Sequence, residues 1–123
     1  MERDPLTEKV IGCAIEVHRF LGPGLLESAY EQCLAREFAL QGLAFKLQVP
    51  IPVEYKGLRL DCGFRMDVLV EERLILELKS VEMIKGIHKA QLLSYMKLSG
   101  ISTGLLLNFN CELVKDGITR FKL

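Results

Sequence analysis

The chain has 123 residues, 50% hydrophobic and 26% charged, which suits one soluble domain that buries its own core and leaves little room for a second. The acidic and basic residues, 16 of each, cancel without any lysine- or arginine-rich block, and this counts against tight nonspecific binding of duplex nucleic acid by charge alone. Cys13, Cys33, Cys62 and Cys111 lie far apart with no CxxC, only His18 and His88 could join them, and no apolar run approaches membrane-spanning length. The cysteines therefore read as small core hydrophobes, with a reducing cytoplasm as the expected compartment and no membrane as partner.

Asp4-Pro5 is a helix-start pair: aspartate caps, and proline occupies the first turn, where its missing amide costs nothing. A first helix is expected from there to about Phe20, with Val10, Ala14, Val17 and Leu21 at helical spacing and Ile11, Ile15 and His18 widening the stripe. Leu21-Gly-Pro-Gly24 stops it. A second helix is expected over about residues 25–41, closed by Gly42, with Glu27, Tyr30, Glu31 and Leu34 on one face and Leu26, Cys33 and Phe38 nearer the core. By itself, Glu27 in the first turn is accounted for by the helix dipole. Tyr30 reads as a packing residue with its hydroxyl tied down.

From Ala44 the period changes to two, and Phe45, Leu47, Val49, Ile51, Val53 and Tyr55 predict one long strand near an edge, because Pro50 and Pro52 carry no amide donor. Lys56-Gly57 turns the chain, and a return begins at Leu58. The strand carrying Asp67 would place Met66, Val68 and Val70 on one face, with Asp67 and Leu69 on the other. After the turn Glu71-Glu72-Arg73, Leu74, Leu76 and Leu78 share one face, and Ile75, Glu77 and Lys79 the other. Pairing Val70 with Leu74 sets Asp67 opposite Glu77. Two facing carboxylates repel unless a cation or a proton lies between them, and two hard oxygen donors beside a lysine are what a magnesium-assisted hydrolase needs.

A loop is expected over residues 80–85, then a helix over about 87–99, closed by Gly100. Leu92, Leu93 and Met96 are expected to face the sheet, with His88, Gln91 and Tyr95 as a second stripe; a lone histidine at a helix start reads as solvated. The segment from Thr103 to Phe109 reads as a buried strand, and Asp116-Gly117 turns into a last strand from Ile118 to Lys122. The strands before and after the third helix should be parallel, joined by a right-handed crossover, with helices on both faces of the sheet. The fold class is α/β: a three-layer α/β/α sandwich with a central mixed sheet.

Asp67 followed by Glu77-Leu78-Lys79 resembles the PD-(D/E)xK nuclease superfamily, with Met66 where the proline of the name would stand. Gly24-Leu-Leu-Glu27-Ser-Ala-Tyr30 resembles the signature of the prokaryotic GxxExxY family within it, and Gln91-Leu-Leu-Ser-Tyr95 is similar to the QxxxY element of RecB-type nucleases. With His18-Arg-Phe-Leu-Gly-Pro-Gly and Leu107-Asn-Phe, the likeness covers nearly the whole chain as a single domain over residues 1–123. It implies a restriction-endonuclease-like core and a magnesium-dependent deoxyribonuclease, with Mn²⁺ as substitute. It further implies Asp67, Glu77, Glu27 and the Leu78 carbonyl as metal ligands, and Glu27, Asp67, Glu77 and Lys79 as the catalytic set. Lys79 would orient or deprotonate the attacking water, or neutralise the phosphate. Tyr30, Gln91 and Tyr95 are the implied substrate contacts. The alternative is a non-catalytic nuclease-fold protein that binds nucleic acid or a protein partner. A homodimer, which would lengthen the short groove of so small a domain, is a further expectation.

Overall fold

The computed structural model describes residues 4–123. Helix α1 is Pro5–Leu21, and Asp4 caps it by accepting from the Leu6 amide at 3.1 Å and the Thr7 hydroxyl at 2.9 Å. Leu6, Val10, Cys13, Ala14 and Val17 form its buried stripe. It ends where the Gly22 amide donates to the His18 carbonyl, at a φ of 73° that favours glycine. Helix α2 is Glu27–Leu40, shorter than its periodicity suggests. Its core face is Tyr30, Leu34 and Phe38, four apart; Leu26, expected near the core, is 77% exposed because it precedes the first turn.

The alternation from Phe45 to Tyr55 does not make one strand. Strand β1 is Phe45–Pro50, the chain leaves the sheet at Ile51 and Pro52, and β2 (Val53–Tyr55) pairs with β3 (Leu58–Leu60) as a separate two-stranded ribbon. Pro50 and Pro52 cannot donate to a ladder, and Ile51 gives its amide instead to the Phe64 carbonyl at 2.8 Å. Strands β4 (Arg65–Val70) and β5 (Leu74–Lys79), helix α3 (Gly86–Ser99), strand β6 (Thr103–Asn108) and strand β7 (Ile118–Lys122) complete the chain, with a short 3₁₀ turn, Val114–Gly117, before the last strand.

The main sheet has the order β1-β4-β5-β6-β7; β5 and β6 are parallel across the α3 crossover and the other neighbours are antiparallel. Residues of α1 and α2 pack with Val68, Val70, Leu74, Leu76, Leu78, Leu105 and Leu107 on one face. On the other, Leu92, Tyr95 and Met96 of α3 pack with Met66, Leu69, Ile75 and Leu106. A fully buried leucine contributes about 1.5–3 kcal/mol, so this double coverage makes β5 and β6 the most firmly held strands. Gly104 gives α3 its close approach: a Cβ there would lie 2.9 Å from Met96 Sδ.

Candidate active site

Val70 pairs with Leu74 across the turn Glu71-Glu72-Arg73, and the β4/β5 ladder runs to Val68 opposite Leu76. The next pair outward is Asp67 and Glu77, and here backbone pairing gives way to side chains. The Asp67 amide donates to Glu77 Oε1 at 3.3 Å, and the Leu78 amide donates to Asp67 Oδ2 at 2.8 Å. Each carboxylate thus takes an amide from the other strand, and the acids converge at the rim of the core, as the register of the turn predicts.

The same place is irregular on the other side of β4. The β1/β4 register passes from Leu47 opposite Val68 to Val49 opposite Met66 and skips Gln48 and Asp67, and Gln48 has a φ of 52°. A left-handed residue inside a strand re-aims the side chains beyond it. Leu47 and Val68 pack toward α1 and α2, whereas Val49 and Met66 pack toward α3. Met66 therefore does not share a face with Val68 and Val70, which corrects the strict alternation. The twist also lets Asp67 line a cavity of about 210 Å³ with Glu27, Ser28, Glu31, Gln48 and Leu78 on the α2 side.

Glu77 is only 3% exposed. Burial, and then the charge of Asp67, push its carboxyl from an ordinary 4.5 up to about 8, against the opposing pull of the Asp67 amide and the Lys79 ammonium. The ion pairs among the described residues are Arg19–Glu16, Lys46–Glu72, Arg59–Glu54 and Arg73–Asp4, so neither Asp67 nor Glu77 is neutralised by a salt bridge. Without metal, Glu77 therefore keeps its proton at neutral pH beside Asp67, and a cation that displaces this proton would meet two hard oxygen donors, a set that fits a divalent cation. Such ions are commonly held by one or two carboxylates, with water and substrate phosphate supplying the other positions.

Glu27 does not close a triad. Its Oε2 accepts from the Ser80 amide at 3.2 Å, and among the described residues no three His, Cys, Asp or Glu side chains cluster tightly enough to cage an ion. Ser80 Oγ also donates to the Leu25 carbonyl at 2.7 Å, so the start of α2 is fastened to the residue after Lys79. Asn108, beside Lys79 in the parallel ladder, takes the Val81 amide on Oδ1 at 3.1 Å and donates to the Val81 carbonyl at 3.0 Å.

Tyr30 is in the core, which supports its packing role and corrects its place among the substrate contacts. Its hydroxyl donates to the Gly22 carbonyl at 2.6 Å and accepts from the Leu25 amide at 3.2 Å, and its ring stacks on Phe109 at 4.3 Å. His18 meets the Phe109 carbonyl at 3.0 Å. His88 Nδ1 accepts from the Lys85 amide, tying it into the start of α3. Gln91 is exposed and hydrogen-bonds the Tyr95 hydroxyl. Burial raises the Tyr95 pKa, and the charges of Glu77 and then Asp67 add to it, so Tyr95 lies within the electrostatic reach of the acid pair. Phe64, not singled out by the pattern, packs its ring against Tyr95 with centroids 6.0 Å apart. A larger groove, about 610 Å³, runs past Val81, Glu82, Met83, Lys85 and His88 beyond the end of β5, and Asp67 lines the smaller cavity instead.

A mixed sheet covered on both faces, with an acid on one central strand and an acid-x-lysine on the next, defines a restriction-endonuclease-like core. The family profile of the PD-(D/E)XK nuclease superfamily matches residues 4–121, and the chain belongs to that superfamily. Its members are nucleases that in general use divalent metal ions on nucleic acid. Comparison with curated proteins and with solved structures gave no match. No helix among the described residues is long and apolar enough to cross a membrane.

Proposed function

We propose that the chain is a magnesium-dependent deoxyribonuclease of the GxxExxY, RecB-like branch, acting in the cytoplasm, with Asp67, Glu77 and Lys79 as its working residues. The observation that carries this is the meeting of the Asp67 and Glu77 carboxyl groups, each bound to an amide of the other strand and neither in a salt bridge among the described residues. Asp67, Glu77 and the Leu78 carbonyl would hold Mg²⁺ or Mn²⁺, with Glu27 joining on release from Ser80. When bound, the ion supplies charge stabilisation for the attacking and leaving oxygens and a hydroxide accessible near neutral pH. Lys79 orients the attacking water or neutralises the scissile phosphate from the end of the same strand. Gln91, exposed one turn before the buried Tyr95, contacts the nucleic acid. Cleavage of a DNA and RNA panel with Mg²⁺ and Mn²⁺ should be lost in Asp67→Ala; equal cleavage by that variant would refute the assignment.

A second reading, a nuclease-fold protein that binds nucleic acid or a protein without cutting, draws on Glu27 being held by Ser80 rather than by the acid pair. Retention of binding with no cleavage under either metal would favour it. A homodimer that duplicates the short groove belongs to the proposal too, and sedimentation showing monomer alone at roughly tens of micromolar would oppose it.

A further inference from the structure

Phe64 is a large aromatic left 40% exposed three residues before Asp67, on a backbone tied to the end of β1. Its carbonyl accepts the Ile51 amide at 2.8 Å, and Gly63 before it turns the chain with a φ of 76°. The ring is tilted 41° against Tyr95 of α3, which is itself buried against the sheet. One part of the Phe64 ring is therefore backed by a fixed aromatic, while the rest is open beside the side chain that senses Glu77 and Asp67. A ring backed on one side and open on the other is the geometry of a stacking platform. Stacking also answers a difficulty raised by charge: a chain with zero formal net charge and no basic block has little with which to neutralise the two backbones of a duplex. Base stacking needs no net charge, and unpaired bases alone offer their faces to it.

We propose that Phe64 is a base-stacking residue of the nuclease site and that the substrate class is single-stranded nucleic acid. This rests on the nuclease reading above and adds the strandedness. A phosphodiester at the Asp67–Glu77 rim would have a neighbouring base on Phe64, with Tyr95 behind the ring.

The test is fluorescence anisotropy with a labelled single-stranded DNA oligonucleotide and its duplex, in Ca²⁺ and in EDTA, for the wild type, Phe64→Leu and Phe64→Trp. Leucine keeps the apolar bulk over Tyr95 and loses the π-face; tryptophan keeps both. Loss of one stacked base corresponds to a fall in affinity of roughly 5- to 150-fold, so Phe64→Leu should bind the single strand at least about fivefold more weakly and Phe64→Trp should match the wild type. The wild type should prefer the single strand. Unchanged affinity in Phe64→Leu, with its melting curve intact, would overturn the stacking role, and preference for duplex would overturn the substrate class. Cleavage by the wild type, measured in parallel with Mn²⁺, separates the two levels: if cleavage persists while Phe64→Leu binds normally, only the stacking inference falls. A wild type that neither binds nor cleaves either form overturns the nuclease reading with it.

Discussion

Glu77→Gln removes a charge and little else, because the glutamine oxygen can still accept the Asp67 amide that Glu77 Oε1 accepts at 3.3 Å. In the wild type, burial and Asp67 raise the Glu77 carboxyl from 4.5 to about 8. An acid raised in this way holds its proton more tightly folded than unfolded. Its stabilising contribution is complete below 4.5 and is lost as pH rises through 8. At about 1.4 kcal/mol per pH unit, the wild type should lose at most about 5 kcal/mol relative to Glu77→Gln across that window in EDTA. A divalent ion should offset about half of that deficit. At about a hundredfold excess over Kd, linkage adds about 2.7 kcal/mol to the wild type, or roughly 10 °C in Tm for a domain this size, and most of that shift should vanish in the variant. Urea unfolding across pH in EDTA, and melting curves with and without saturating Mn²⁺, measure both effects. A flat metal response in the wild type would refute the reasoning. So would a variant less stable than the wild type at alkaline pH in EDTA, the signature of a broken ion pair.

Lys79→Met should lower cleavage by about a hundredfold or more while the metal-dependent rise in Tm persists, since under the proposed function it removes the cation that serves the attacking water or the phosphate and no ligand; a Tm response lost along with activity would make Lys79 structural. Tyr30→Phe keeps the stack on Phe109 and loses the hydrogen bonds to Gly22 and Leu25, so a thermal scan should show a loss of about 1–2 kcal/mol, and an unchanged Tm would deny the hydroxyl its role at the start of α2. Gly104→Ala puts a methyl 2.9 Å from Met96 Sδ and 3.1 Å from Leu92 Cδ1, and should cost about 1–3 kcal/mol in urea unfolding; a neutral result would mean that α3 yields freely.

Regular periodicity made the centre of the molecule legible. Leu74, Leu76 and Leu78 alternate with Ile75 and Glu77, the short charged turn fixes Val70 opposite Leu74, and these together dictate the meeting of Asp67 with Glu77 and the parallel β6. The illegible parts lie where local chemistry departs from the pattern. Leu26 sits inside an apolar run, yet the helix begins at Glu27 and leaves it in solvent. The alternation through Val53 and Tyr55 continues after β1 has ended, because a pattern of side chains does not register that Pro50 and Pro52 have emptied the ladder of donors. Gln48 carries no sign of its left-handed backbone, since glutamine has no special affinity for that region. Glu27 meets Ser80 across 53 residues of sequence, a contact that only the tertiary packing of α2 beside β5 creates.

The unreadable features coincide with the candidate site. Had β1, β4 and β5 kept regular ladders past Leu47, Val68 and Leu76, the amides of Asp67 and Leu78 would have been available to neighbouring carbonyls. The acids would then have lacked those donors, and β4 would have kept its alternation without the turn of face that brings Asp67 to the cavity beside α2. The twist at Gln48 leaves these amides to the carboxyl groups, which holds the two acids together at the edge of an apolar core, with Glu77 keeping its proton up to a pH of about 8 when no metal is bound. Strain of this kind, a positive φ at a non-glycine residue, persists only where the surroundings over-determine it. Here they do: Gln48 is fixed through its carbonyl by Arg65 and through its side chain by Glu31 on α2, so the irregular strand pair and the helix that carries Glu27 are parts of one rim.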